Sequence, residues 1–137
     1  MLVAALVEAH PAHAGALAAL TSRSKREAAV STHALAETWA TLTRLPFGKP
    51  LGPMLVLEML RRLESRVTVL ALGVRSYRAA LRRCSTIGLR SGAVFDALHL
   101  EAALAWGAKD LQTLNVGDFD RLIPAGEALS ISEPRAS

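Results

Sequence analysis

Gly92-Ala-Val-Phe-Asp96-Ala-Leu-His-Leu100 sets one carboxylate into an apolar helical run. A charge there is costly to desolvate unless something pairs with it. Two explanations stand side by side: Asp96 either stabilises the positive end of its helix from the early turns, or it is a metal ligand. Its apolar neighbours favour the ligand. His99 lies three residues on, on the same side of the helix, and ranks as an outer partner of Asp96 at best. Ser91 is placed to cap this helix, which runs to Trp106 and is stopped by Gly107.

Downstream, Asp110–Leu114 reads as a strand that runs into the loop Asn115–Asp120. The stretch Thr113-Leu-Asn115-Val-Gly-Asp118-Phe-Asp120 offers two carboxylates, an amide and a hydroxyl, a donor set suited to Mg2+ or Mn2+. A plain turn also uses Asn, Gly and Asp. A short strand is expected at Ala128–Ile131, and Glu133–Ser137 reads as a frayed tail.

Upstream, Gly73–Ile87 is expected to be a helix. Val74, Tyr77, Leu81 and Cys84 form its packing stripe, and Arg75, Arg78 and Arg82 form a basic row one position along. Val67–Leu72 precedes it as a β-branched strand. Before that lies a helix from Pro53 towards Arg66, with Leu55, Met59 and Leu63 on one face. Thr32 is placed to cap a helix from His33 to Arg44 with Leu35, Trp39 and Leu42 inward, closed by Pro46 and Gly48. Ala28–Ser31 is a short buried strand, and Pro11–Leu20 a helix with Ala14, Leu17 and Leu20 at core spacing, ended by the polar run Thr21–Glu27.

Strands alternating with helices at this spacing imply an α/β domain with a mostly parallel sheet covered on both faces. Ligands then bind beyond the carboxyl ends of the strands. Glu37, one turn into its helix, falls at that edge, where a solvated surface residue is the competing reading. His10 and His13 flank Pro11 and suit a solvated helix start better than a metal site. His33 and His99 show no evident partner.

The chain has 137 residues, the size of one ordinary domain, and 51% of them are apolar while only 4% are aromatic. Its core must therefore rest on Ala, Leu and Val. The apolar stretches Met1–Val7 and Ala14–Leu20 fall far short of the ~20 residues that cross a bilayer. Met1–Val7 also lacks the basic segment of a secretory signal, so a cytoplasmic protein is expected. Cys84 is the only cysteine, which excludes an internal disulfide and a cysteine metal cluster. Net charge is +4, but no acidic residue occurs between Glu64 and Asp96, where Arg66, Arg75, Arg78, Arg82, Arg83 and Arg90 accumulate. A basic face is expected there. Phosphate-loop, nucleophile-elbow and His-Glu-x-x-His motifs are missing, which removes the usual support for nucleotide hydrolysis, serine hydrolysis and zinc proteolysis.

The order of motifs resembles that of PIN domains, the fold of VapC-type toxin ribonucleases. An early Leu2-Val-Ala-Ala-Leu-Val-Glu-Ala-His-Pro-Ala-His-Ala14 is followed by Ser31-Thr-His-Ala-Leu-Ala-Glu37-Thr-Trp39, then Val94-Phe-Asp96-Ala-Leu-His-Leu100, then Leu114-Asn-Val-Gly-Asp118-Phe119. The resemblance covers essentially the whole chain and implies one PIN-like domain over residues 1–137, a three-layer sandwich with a mostly parallel central sheet flanked by helices. It implies further that Glu37, Asp96 and Asp118 are the second, third and fourth acidic positions of the family, Asp96 and Asp118 binding Mg2+ or Mn2+ and Glu37 assisting the metal or its water. Thr113 and Asn115 would support the fourth position, with Asp120 a nearby spare. The implied activity is metal-dependent hydrolysis of RNA phosphodiesters by the toxin of a type II toxin–antitoxin system. The implied partners are RNA, a cognate VapB-type antitoxin and a second copy in a homodimer. Arg75, Arg78 and Arg82 could hold the RNA backbone, or simply be solvated.

The family opens with a strand ending in an aspartate immediately before the stretch that here begins Met1-Leu2-Val3-Ala4. Without that central strand, backbone groups would be unpaired and a groove left in the core. Three readings follow: a frame that starts upstream, a catalytically weak or inactive homologue that retains antitoxin binding, or an interaction domain in which Asp96 is only a helix-end carboxylate. The intact mass of the protein made from its native locus separates the first from the second: a mass above that of Met1–Ser137 is the expected outcome of an upstream start.

Overall fold

The computed structural model describes residues 1–44 and 49–136, so the expected closure at Pro46 and Gly48 lies outside the described residues. The chain forms two compact units, Met1–Val69 with Pro134–Ser137, and Leu70–Glu133. Among the described residues no helix is long and apolar enough to cross a membrane.

In the first unit, the apolar opening folds as a short helix, α1 (Leu2–Leu6), which buries Leu2, Ala4 and Ala5. It packs on α2 (His13–Thr21). The turn between them is held by two imidazoles: Nδ1 of His10 accepts the Ala12 N–H at 3.0 Å, and Nδ1 of His13 donates to the Ala4 carbonyl at 3.0 Å. Ala14 and Leu17, expected inside, are exposed, while Gly15, Ala16 and Leu20 are buried. This helix is apolar all round, so periodicity does not choose its inner face. A close approach does: a Cβ on Gly15 would sit 2.7 Å from the Pro134 carbonyl oxygen and 3.2 Å from the Ala136 nitrogen. Residues 134–136 of the tail expected to be frayed thus pack their backbone against α2, and Ser137 lies outside the described residues.

Strand β1 (Ala29–Ser31) feeds directly into α3 (Thr32–Arg44). The hydroxyl of Ser31, not Thr32, caps this helix by accepting the Ala34 N–H at 3.1 Å. The inner row is Thr38 and Leu42, and Trp39 is exposed. Thr38 can be buried because its hydroxyl donates to the Ala34 carbonyl at 2.6 Å. The inner row thus holds Thr38 where Trp39 was expected.

Helix α4 (Pro53–Arg66) opens with Pro53 in its first turn and packs on α3. It buries Val56, Leu60 and Leu63, while Leu55, expected on the packed face, is exposed. Apolar residues fill several adjacent rows of its first half, and contact with α3 selects among them. Strand β2 (Thr68–Leu70) is shorter than the expected Val67–Leu72, because Val67 terminates α4 as its C-cap. It pairs with β1, and the Thr68 N–H donates to the Ala28 carbonyl at 2.9 Å.

In the second unit, α5 (Val74–Ile87) packs on α6 (Ala93–Trp106). Their core joins Ala80, Cys84, Ala97, Leu98, Leu100 and Ala103 to Phe119, Leu122 and Leu129. Both helices end on left-handed glycines, Gly88 at φ 74° and Gly107 at φ 73°. Ser91 does not cap α6: it stands at φ 55°, and Gly92 occupies the cap position. Val74, Tyr77 and Leu81 are 65%, 44% and 55% exposed, so of the expected packing stripe of α5 only Cys84 is buried. Small residues let α6 approach, and Ala80 and Cys84 lie on the face that meets it.

Strand β3 (Asp110–Gln112) pairs in parallel with β4 (Ser130–Ser132), in the register Asp110 to Ser130 and Gln112 to Ser132. The Asp110 carboxylate fixes that register by accepting hydrogen bonds from the Ser130 hydroxyl at 2.7 Å and the Ser132 hydroxyl at 2.9 Å. Between the two strands the expected loop Asn115–Asp120 is instead a helical turn, α7 (Val116–Asp120), which buries Phe119 and packs on α6. The α/β class stands, with two two-stranded sheets of three-residue strands among helices in the described residues.

Arg83 does not belong to a solvated basic row. Its Nε and Nη2 donate to Glu101 at 2.8 and 2.6 Å, and its Nη1 donates to the Leu122 carbonyl at 3.2 Å. The side chains are only 20% and 14% exposed, so removing one leaves the other poorly solvated. Glu101→Ala is expected to destabilise the protein by about 2–3 kcal/mol, measured by urea denaturation, and more than Arg83→Met with Glu101→Leu together.

Burial raises the pKa of the Cys84 thiol, and Asp96 adds to this against the opposing charge of Arg83. A group whose folded pKa lies above its unfolded one stabilises fully below the unfolded value, near ~8.5 for a thiol, and loses that contribution as pH rises through the folded value. Cys84 is therefore expected to resist alkylation in the native protein at pH 8 and to react rapidly in denaturing urea. Native reaction at the rate of a free thiol would contradict its burial.

Candidate functional site

Glu37 belongs to the first unit, at the start of the second turn of α3. Its carboxylate is 42% exposed and stands 3.7 Å from Nε2 of His33, one turn earlier. His33 therefore has a neighbour that the sequence did not disclose, although the i, i+4 spacing was the available signal. Burial lowers the pKa of the Met1 ammonium, and the Glu37 charge opposes that shift. The two groups are thus close enough to feel one another.

Asp96 and Asp118 belong to the second unit. Asp96 lies in the first turn of α6, where the helix dipole favours a negative charge. It is half-buried, immediately before the fully buried Ala97 and Leu98, and its charge reaches Cys84 in the core. Both candidate explanations of Asp96 survive this geometry, since a first-turn carboxylate is also well placed as a ligand.

Asp118 sits in the first turn of α7. Its backbone N–H donates to the Asn115 carbonyl at 3.1 Å. The buried Thr113 hydroxyl accepts the Asn115 N–H at 3.1 Å, and the Thr113 N–H donates to the Ser132 carbonyl at 2.9 Å. Thr113 and Asn115 therefore anchor the start of α7 to the β3–β4 pair, through the Thr113 hydroxyl and its backbone N–H. The Asp118 carboxylate accepts from Arg121 at 2.6 Å, an exposed i, i+3 pair, and Asp120 is exposed. Helix α7 packs on α6 through Phe119, which shares the core with Ala97 and Leu98.

Within each unit, among the described residues, no three His, Cys, Asp or Glu side chains gather as a group that could hold a metal ion. Sequence reading missed Asp110, which the structure uses to clip β3 to β4. The Ser-x-Ser pattern at Ser130 and Ser132 was the only trace of it.

Arg75, Arg78 and Arg82 are all exposed on α5. None of their guanidinium groups has a hydrogen bond or ion pair with a described residue, in contrast to Arg83.

Three known proteins and one family model bear on this arrangement. Ribonuclease VapC27 of Mycobacterium tuberculosis (strain ATCC 25618 / H37Rv) is 40% identical over 98 residues, covering 72% of this chain and 68% of that protein. Ribonuclease VapC40 of Mycobacterium tuberculosis (strain CDC 1551 / Oshkosh), and the protein of that name from strain ATCC 25618 / H37Rv, are 35% identical over 109 residues, 80% of this chain and 78% of theirs. The model of the PIN domain matches residues 1–122, a span that holds Glu37, Asp96, Asp118 and the helices that carry them, and the chain belongs to the PIN domain family.

Proposed function

We propose that this chain is a metal-dependent endoribonuclease, the toxin of a type II toxin–antitoxin system, acting as a single PIN domain over residues 1–137. The observation that carries this reading is Asp96, a carboxylate at the start of an otherwise apolar α6, in a chain that matches the PIN model and is 40% identical to a ribonuclease.

The donor chemistry suits a hard divalent cation. Mg2+ commonly takes one or two carboxylates and completes its shell with water, so a group of three protein donors is not required. Asp96 and Asp118 would hold Mg2+ or Mn2+, which when bound supplies an activated water and charge stabilisation at the phosphodiester. Asp118 is available at small cost, because its exposed pair with Arg121 is worth no more than ~1 kcal/mol. Glu37 assists the metal or its water. Thr113 and Asn115 hold α7, and with it Asp118, in place, and Asp120 is a spare carboxylate one turn end away. Arg75, Arg78 and Arg82 contact the RNA backbone. A VapB-type antitoxin and a second copy of the chain are the proposed protein partners, in the cytoplasm.

A second reading, a catalytically weak or inactive scaffold that retains antitoxin binding, is favoured by one observation. The described residues of neither unit gather three candidate ligands.

Cleavage of a fluorogenic RNA with Mg2+ or Mn2+ distinguishes the two. The expected result is cleavage abolished by EDTA and lowered in Asp96→Asn by more than about 100-fold, the upper end of what loss of a mere outer-shell partner costs. No cleavage by the wild-type protein would favour the inactive scaffold, and equal cleavage by Asp96→Asn would remove Asp96 from the site.

A further inference from the structure

Helix α5 is anchored by one face and carries an unusual second one. Ala80 and Cys84 hold it to α6, while Val74, Tyr77 and Leu81 form an exposed row at i, i+3 and i+7. Arg78 borders that row, four residues after Val74 and three before Leu81. Arg75 and Arg82 continue the basic edge along about 10 Å of helix axis. Lacking any bond to a described residue, the three guanidiniums are free to meet an outside ligand. The helix itself contains no carboxylate to neutralise them.

Resting on the ribonuclease reading above, we infer that this face of α5 binds single-stranded RNA, the Tyr77 ring stacking on an unpaired base while Arg75, Arg78 and Arg82 hold the flanking phosphates. The charge is complementary, and an aromatic surface beside a guanidinium row matches the alternation of base and phosphate along a strand. A duplex fits less well, because its bases are already stacked and their faces closed to Tyr77. A second copy packed on the same row would bring the same cations and, from α5, no anion to meet them. Three apolar side chains on one helix row also make a small surface for lipid, which an amphipathic membrane helix buries along its whole length.

Binding of a short fluorescein-labelled oligoribouridylate, followed by anisotropy in EDTA, separates recognition from cleavage. Tyr77→Ala is expected to weaken binding by about 5- to 150-fold, the equivalent of ~1–3 kcal/mol for a stacked base, and Tyr77→Phe to retain it. Each Arg→Gln change at Arg75, Arg78 or Arg82 is expected to reduce the slope of log affinity against log salt by about 0.7. A duplex of the same length should bind more weakly.

Wild-type binding by Tyr77→Ala, or by Tyr77→Leu, would overturn the stacking role. Unchanged salt slopes would overturn the phosphate contacts. Displacement of the row's function to self-association would appear as a dimer in sedimentation that Leu81→Asp dissociates without loss of RNA binding, which also overturns the inference, as would preferential binding to a Glu-rich peptide or to anionic phosphatidylserine vesicles. If metal-dependent cleavage is lost in Asp96→Asn while the α5 variants bind as wild type, the inference fails and the ribonuclease reading stands. A wild-type protein that neither binds nor cuts RNA defeats both.

Discussion

The close approach of α5 and α6 is the constraint on which the second unit depends. Ala80 and Ala97 are fully buried in their shared core, with Cys84 at its edge, and side chains this small allow two helix backbones to come near each other. A chain with so few aromatic residues has limited means of filling a wide core, so a narrow one is the economical solution. Among the larger members of that core, Leu98 and Leu100 come from α6 and Phe119 from α7, the turn that carries Asp118. The same choice that buries Ala80 turns Val74, Tyr77 and Leu81 outward. Core packing and the exposed face of α5 are two results of one helix rotation.

Electrostatics follow that frame. Arg83, on the side of α5 nearer the core, is matched by Glu101 and the Leu122 carbonyl, whereas the side chains of Arg75, Arg78 and Arg82 have no such match among the described residues. A buried or half-buried cation needs a counterpart; an exposed one can be left for a ligand. The carboxylates divide similarly. Glu101 and Asp110 are committed to structure, one bracing two helices and the other holding a parallel strand pair in register. Asp118 is paired with an exposed arginine, and Asp96 lies in the first turn of α6, where the helix dipole favours its charge.

Much of this was legible in the residues. The order of the strands and of the helices α2 to α6, the start of α4 at Pro53, the glycine stops after α5 and α6, and the positions of Glu37 and Asp96 near helix starts all follow from local pattern. Misreadings arose where the pattern was degenerate. Helix α2 is apolar on every side and α4 is apolar over several rows of its first half, so more than one stripe fitted each. Trp39 was expected inward on α3, yet Thr38 takes the buried place, its hydroxyl satisfied by a carbonyl four residues earlier. The turn Asn115–Asp120 was read as a loop because Asn, Gly and Asp favour turns, yet Phe119 draws it into a helix against α6.

The sequence by itself determined the α/β class, the succession of the strands and longer helices, and the family, because these rest on periodicity, breakers and short motifs that each span a few residues. It also determined the basic tract, since an interval without acidic residues is a property of the string. Only the tertiary structure decided which row of each helix faces inward, that Gly15 must admit the backbone of residues 134–136, and that Asp110 is structural. Those outcomes depend on partners distant in the chain, and the energy of burying a side chain is set by what it meets, not by its own spacing.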